Sequence, residues 1–219
     1  MKIGIIGAGH IGSALAKHFT QAGHQVSIAN SRGPGTLGAV AAETGATPAT
    51  AEDAVRGAAL VVLTIPLKNV PDLPNGLLSS LPATVPVIDT CNYYPRQRDG
   101  RIAAIEDGMV ESVWVERQIG HPVIKAFNNI YAAHLADLGR PAGTEKRIAL
   151  PVAGDDAAAK RAVMALVDAI GFDPVDAGSI AESWRQQPGT PVYTMDFDKA
   201  GVADALAKAS PERTADWRA

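Results

Sequence analysis

The chain has a single cysteine, Cys91, among 219 residues, so it cannot close an intramolecular disulfide and offers no zinc-ligand spacing. That usage fits a reducing cytosol, and a cytoplasmic location is the expectation. Aromatic residues are scarce, with Trp 3, Tyr 4 and Phe 4. No excess of one charge exists either: Lys+Arg 20 stand against Asp+Glu 23, for a net charge of -3. A polyanion-binding surface is not advertised, and nucleic acid is excluded as an expected partner. The longest apolar run, residues 58–67, is about half of what a membrane helix requires. It suits a buried strand, and no membrane partner is expected.

What the chain does have is 21 glycines and a hydrophobic content of 47%, enough to cover both faces of a sheet. Residues 2–6 form an apolar run that ends in glycine, and residues 11–21 follow with Ile11, Leu15 and Phe19 at helical spacing. Further strands are expected at 25–29, 59–64, 85–89 and 122–126, with a helix at 37–43. Continuous apolar strands alternating with helices predict an α/β fold, a Rossmann doubly wound, mainly parallel sheet in which the first strand is central. Beyond residue 130 the pattern gives a short helix at 132–138, a strand at 147–152, a helix at 155–170 and a strand at 172–175. Two parts follow, a dinucleotide-binding part over 1–130 and a smaller C-terminal α/β part over 131–219 that could extend the same sheet. Residues 179–187 and 198–209 read as helical, and 211–219 as a frayed tail.

The turn GAGHIG sets Gly7, Gly9 and Gly12 directly after a strand and at the opening of a helix. Gly7 permits a tight turn, Gly9 lets the backbone approach a pyrophosphate, and Gly12 brings helix and strand close. Ala8, His10 and Ile11 complete that turn. The second strand ends in Asn30, Ser31 and Arg32, where an NAD site commonly carries an acid. An acid would repel the extra phosphate of NADP, whereas Arg32 and Ser31 can bind it, with Thr36 nearby. NADP(H) is therefore the expected cofactor. Ile65, Pro66 and Leu67 close the next strand, and Thr90, Cys91 and Asn92 occupy the same carboxyl edge one strand later, with Asp89 holding the loop and Cys91 packing. Five scattered histidines give no metal site.

These segments resemble the NADP-dependent reductases of the deazaflavin coenzyme and the related cytosolic domain of six-transmembrane metalloreductases. The pieces that carry the resemblance are IGIIGAGHIGSALA, NSR, VVLTIPL, KAFNNIYAAHL and PVAGDDAAAKRAVMALVDAIGFDPVDAG, in that order. It implies a nicotinamide in a cleft between the two parts and direct hydride transfer to a flavin- or deazaflavin-like small-molecule acceptor as co-substrate. It also implies that residues 8–11, Ser31, Arg32, Ile65, Pro66, Leu67, Thr90 and Ala126 line the dinucleotide, that Phe127 and Asn128 follow at the acceptor end, and that a homodimer is allowed. No catalytic residue is assigned. Trp184, Arg185, Gln186 and Tyr193 are candidates for the acceptor wall. The β-hydroxyacid dehydrogenases share the glycine turn but use a lysine base on a long helix, whereas Lys125 ends a strand. A dehydrogenase of small hydroxy acids and a non-catalytic NADP(H) sensor stand as the alternatives.

Overall fold

The computed structural model describes all 219 residues. Six parallel strands form one sheet in the order β3-β2-β1-β4-β5-β6. They are β1 (Lys2–Ile6), β2 (Gln25–Ala29), β3 (Thr47–Pro48), β4 (Leu60–Leu63), β5 (Val87–Asp89) and β6 (Ile124–Lys125). β1 lies inside the sheet, paired with β2 and β4. Its residues explain why. Ile3 and Ile5 enter the core on one face, and Ile6 enters the core on the other. Gly4 shares that second face, where a Cβ would stand 2.2 Å from the Ala54 carbonyl oxygen. Only a strand covered on both sides needs apolar residues at both parities and a glycine where a helix presses close.

Helix α1 (His10–Gln21) covers the first face with Leu15, Ala16 and Phe19. Helices α2 (Gly38–Thr44), α3 (Ala51–Val55), α4 (Ala103–Glu106) and α5 (Glu111–Ile119) lie in the other crossovers except that from β4 to β5, which has only the 3-10 segment Leu67–Asp72. The strand order reverses between β1 and β4, and in such sheets ligands bind beyond the carboxyl ends at that switch point.

After α6 (Ala132–Asp137), β7 (Ala149–Val152) and β8 (Asp173–Asp176) pair in parallel, with α7 (Ala157–Ala169) crossing between them. Asp156 caps α7 by accepting from the Ala159 amide at 2.7 Å. This second sheet is separate, which corrects the reading of it as an extension of the first. The contact between them is one antiparallel bridge from Lys125 to Ala153. Both parts nonetheless share one core, in which Leu150, Val152 and Phe172 pack with Ile124 and Phe127. The segment Ile180–Gln186 is a 3-10 turn rather than a full α-helix, and α8 (Lys199–Ala207) follows.

The C-terminal residues are not frayed. Arg213 donates to Glu111 Oε1 at 2.5 Å and to Gln187 Oε1 at 2.9 Å, and the Ala219 amide donates to Glu106 Oε1 at 3.0 Å. Composition alone could not reveal this, because the acceptor of Arg213 is a fully buried carboxylate far away in the chain. No helix is long and apolar enough to cross a membrane.

Candidate functional site

Three glycines at the end of β1 do two different jobs. Gly7 has φ 118, and a Cβ there would stand 2.0 Å from the Thr64 carbonyl oxygen. A Cβ on Gly12 would meet the Gly7 carbonyl oxygen at 2.1 Å. These two are required by the fold. Gly9 has no atom of the protein within 4 Å of where its Cβ would be, so its bareness keeps open a space outside the chain. No side chain caps α1 at Gly9, which leaves first-turn N–H groups to an incoming anion.

That space belongs to a groove of about 670 Å³ running from Gly7–Gly9 to the loop after β2. Asn30 builds the loop: its Oδ1 accepts from the Arg32 amide at 3.0 Å and its Nδ2 donates to Thr36 Oγ1 at 3.0 Å. Ser31 and Arg32 are left exposed on the lip. Glu52 and Asp72 line the same groove, so the arginine acts against two carboxylates of its own chain.

A second chamber, about 440 Å³, continues from the groove and shares Gly9, Thr64, Ile65 and Pro66 with it. Its walls come from three distant stretches. The first follows β5, where Asp89 accepts from the Cys91 amide at 2.8 Å, Ser112 Oγ at 2.7 Å and Lys125 Nζ at 3.2 Å. The second follows β6, where Phe127 is fully buried at φ 61. The third is Tyr193–Thr194, with Thr194 at φ 59. Two bulky or branched residues in the left-handed region therefore flank one cavity, an arrangement that the surroundings must enforce. The Thr194 amide, donating to the Asn129 carbonyl at 2.7 Å, is one such restraint.

Amide side chains tie the stretches together. Asn92 Nδ2 donates to the Asn128 carbonyl at 2.8 Å, Asn128 Nδ2 returns a bond to Asn92 Oδ1 at 3.0 Å, and Gln186 Nε2 donates to Asn128 Oδ1 at 3.0 Å. Tyr94 and Tyr193 meet through their hydroxyls, and the Arg98 guanidinium lies 4.8 Å over the Tyr94 ring. Tyr131 stands 53% exposed at the mouth.

Most of the residues singled out from sequence border these two cavities: Gly7, Ala8, Gly9, Asn30, Ser31 and Arg32 the groove, and His10, Ile11, Thr90, Asn92, Phe127 and Asn128 the chamber. Ile65 and Pro66 face both. Four do not. Gly12 is packed against Gly7, Thr36 spends its hydroxyl on Asn30 and the Gly33 carbonyl, and Leu67 and Ala126 are fully buried in the core. Tyr94 and Arg98 were missed, and the signal for Tyr94 was the Tyr93–Tyr94 pair directly after Asn92 on a strand's carboxyl edge.

Residues 2–93 match the family described as NADP oxidoreductase, coenzyme F420-dependent. The crystal structure of a hypothetical protein, SMa0349 from Sinorhizobium meliloti, is similar with TM-score 0.77 and 32% identity, over 91% of this chain and 96% of that one. A candidate F420-dependent NADP reductase from Arthrobacter sp. FB24 superposes with TM-score 0.70 and 25% identity, over 84% of this chain and 87% of that one.

The chain belongs to the coenzyme F420-dependent NADP oxidoreductase family.

A protein of Escherichia coli K12, YjhV, is 53% identical over 66 residues, which are 30% of this chain and 48% of that protein; the match spans about half the length of that curated relative. The 3-hydroxyisobutyrate dehydrogenase of Mycobacterium tuberculosis shares the fold, with TM-score 0.59 and 18% identity over 82% of this chain and 55% of that one.

In this chain Lys125 is fully buried, with its ammonium held by Asp89 and the Cys91 carbonyl. It does not reach the chamber. Cys91 is buried too, and burial pushes its thiol pKa well up, away from nucleophilic use. Of the four residues named as a wall, Tyr193 lines the chamber and Gln186 braces it from behind. Trp184 and Arg185 stack on each other, 4.5 Å apart, away from it. The C-terminal segment packs behind that wall, with Trp217 at 5.8 Å from Tyr94 and 6.1 Å from Tyr193.

Proposed function

We propose that this oxidoreductase uses NADP(H) and transfers a hydride between the nicotinamide and a planar, flavin- or deazaflavin-like small-molecule acceptor. The observation that carries the reading is the joining of the two cavities at Gly9, Thr64, Ile65 and Pro66. One cavity has the backbone of a dinucleotide site, and the other collects three of the chain's four tyrosines. Aromatic rings concentrated in one place, in a chain poor in them, suit a flat conjugated partner.

In this reading Gly7–Gly9 and the first turn of α1 hold the pyrophosphate, while Ser31 and Arg32 hold the phosphate that distinguishes NADP from NAD. Ile65 and Pro66 form the floor on which the nicotinamide end rests, and the left-handed backbone at Phe127 and Thr194 aims the chamber walls. The dinucleotide supplies the hydride when bound. The protein contributes orientation and exclusion of water, which is the larger share of the work when both reactants carry their own chemistry.

The test follows NADPH oxidation with riboflavin, FMN, a deazaflavin and a panel of oxo acids, using stereospecifically deuterated NADPH. Label retained at the ring carbon of the deazaflavin, or stereospecific loss of label from NADPH as a flavin is reduced, supports the proposal. Robust turnover of an oxo acid without flavin-type activity sinks it, as does binding of NADPH without its oxidation by any flavin or deazaflavin.

A further inference from the structure

The hydroxyls of Tyr94 and Tyr193 are in contact although the residues lie 99 apart in the chain. Two hydroxyls carry two protons, and their mutual bond uses one. Whichever tyrosine donates, the other keeps an O–H for a third group. The protein provides no acceptor for it: the other contact of the pair comes from Asn92 Nδ2, itself a donor, 3.4 Å from the Tyr193 oxygen. The rings are fixed by the Arg98 guanidinium over Tyr94 and by Trp217 against both. The pair is thus immobilised, faces a chamber, and holds one proton in reserve.

We propose that the Tyr94–Tyr193 hydroxyl pair is the hydrogen-bond and proton donor to the acceptor, at a ring carbonyl or imine conjugated with the atom that receives the hydride. This rests on the reading of the chamber as the acceptor site. As the C–H bond of the dinucleotide breaks and a new bond to hydrogen forms on the acceptor, N–H on a flavin ring or C–H on a deazaflavin ring, the displaced π pair comes to rest on the conjugated oxygen or nitrogen. That atom takes the tyrosine proton. The O–H electrons stay on the phenolate, which the neighbouring hydroxyl hydrogen-bonds until a proton returns from solvent through the chamber mouth. The net reaction oxidises the dinucleotide, reduces the acceptor and consumes one proton from water. Burial, together with Tyr94, pushes the Tyr193 pKa well above its ordinary value, so Tyr193 keeps its proton in the neutral range and yields it only as charge develops on the acceptor.

The experiment uses the full chain with Tyr94→Phe, Tyr193→Phe and the double substitution, which remove oxygen atoms and leave the rings. NADPH affinity, read by its fluorescence, should stay within about twofold. Riboflavin, titrated by quenching of its own fluorescence with NADP+ present, should bind about fivefold to tenfold more weakly to either single variant, the effect of one lost hydrogen bond. Turnover should fall on the order of a hundredfold, and the double variant should be no slower than the worse single one, because the two act as a unit. Riboflavin binding and turnover equal to the parent in all three variants overturn the inference while leaving the flavin-type reading intact. Oxo-acid turnover in the parent, slowed in the Phe variants, sinks the flavin-type reading and keeps the donor pair. Absence of binding and turnover with riboflavin, a deazaflavin and the oxo acids alike in the parent sinks both.

Discussion

The groove and the chamber adjoin, yet they are built in opposite ways. The groove is made mostly by short pieces of chain that carry their own geometry: Gly7 and Gly9 follow β1 directly, and Asn30 organises the loop that ends β2. The chamber is made by contacts between remote segments, Asn92 with Asn128, Asn128 with Gln186, and Tyr94 with Tyr193. A local motif tolerates change elsewhere, whereas a cavity assembled from three distant stretches depends on everything that holds those stretches in place.

The sharpest way to separate fold from site within the groove is to compare Gly7→Ala with Gly9→Ala. The first drives a methyl against the Thr64 carbonyl at a positive φ, and should cost on the order of 4 kcal/mol or prevent folding. The second meets nothing in the protein and should leave urea stability within about 0.5 kcal/mol. It should still weaken the dinucleotide, read by titration, about tenfold or more, because the space it fills is where the backbone must approach the pyrophosphate. Equal stability losses in the two variants would break the distinction.

The chamber's dependence on remote anchors is probed by Arg213→Ala. Glu111 is fully buried, and burial holds its pKa above the ordinary carboxylate value despite Arg213. Removing the arginine strands that carboxylate, at a cost of about 3 kcal/mol at neutral pH. The folded state binds the Glu111 proton more tightly than the unfolded chain does, so stability rises as pH falls through the raised pKa. Denaturation curves should therefore show the variant's deficit shrinking as pH falls toward the ordinary carboxylate range. A deficit independent of pH would place the loss elsewhere.

How much of this was legible in advance follows the same division. The order of elements, the interior position of β1 and the doubly wound class could be read from alternating runs such as residues 2–6 and 59–64, because burial on both faces leaves a mark on every residue. The glycine turn could be read because each glycine answers a local steric demand. The Tyr94–Tyr193 contact and the docking of residues 211–219 could not, since nothing near them in sequence announces a partner about a hundred positions away. Leu67 and Ala126 show the converse error: proximity to a site residue in the chain does not decide which way a side chain faces, and both point into the core.

Arg32→Ala carries the next largest effect. Loss of one charge-assisted contact is worth roughly 1.5 to 3 kcal/mol, so NADP(H) should bind on the order of tenfold to a hundredfold more weakly while NAD(H) scarcely changes. Equal losses for both cofactors would remove Arg32 from the phosphate assignment. The smallest effect belongs to Trp184→Leu. Its ring stacks with Arg185 away from the chamber, so the KM for any acceptor should stay within about twofold even if the melting temperature drops. A large rise in KM would return Trp184 to the wall.

The bridge between Lys125 and Ala153 has a mechanical consequence. It is closed by two backbone bonds, the Lys125 amide to the Ala153 carbonyl at 2.8 Å and the Ala153 amide to the Lys125 carbonyl at 3.0 Å. A hinge at this junction would have to break both and separate the core shared by the two sheets. The molecule is thus a slotted plate rather than a clamshell. Entry to the slot is then expected not to wait on the microsecond-to-millisecond closure of lobes.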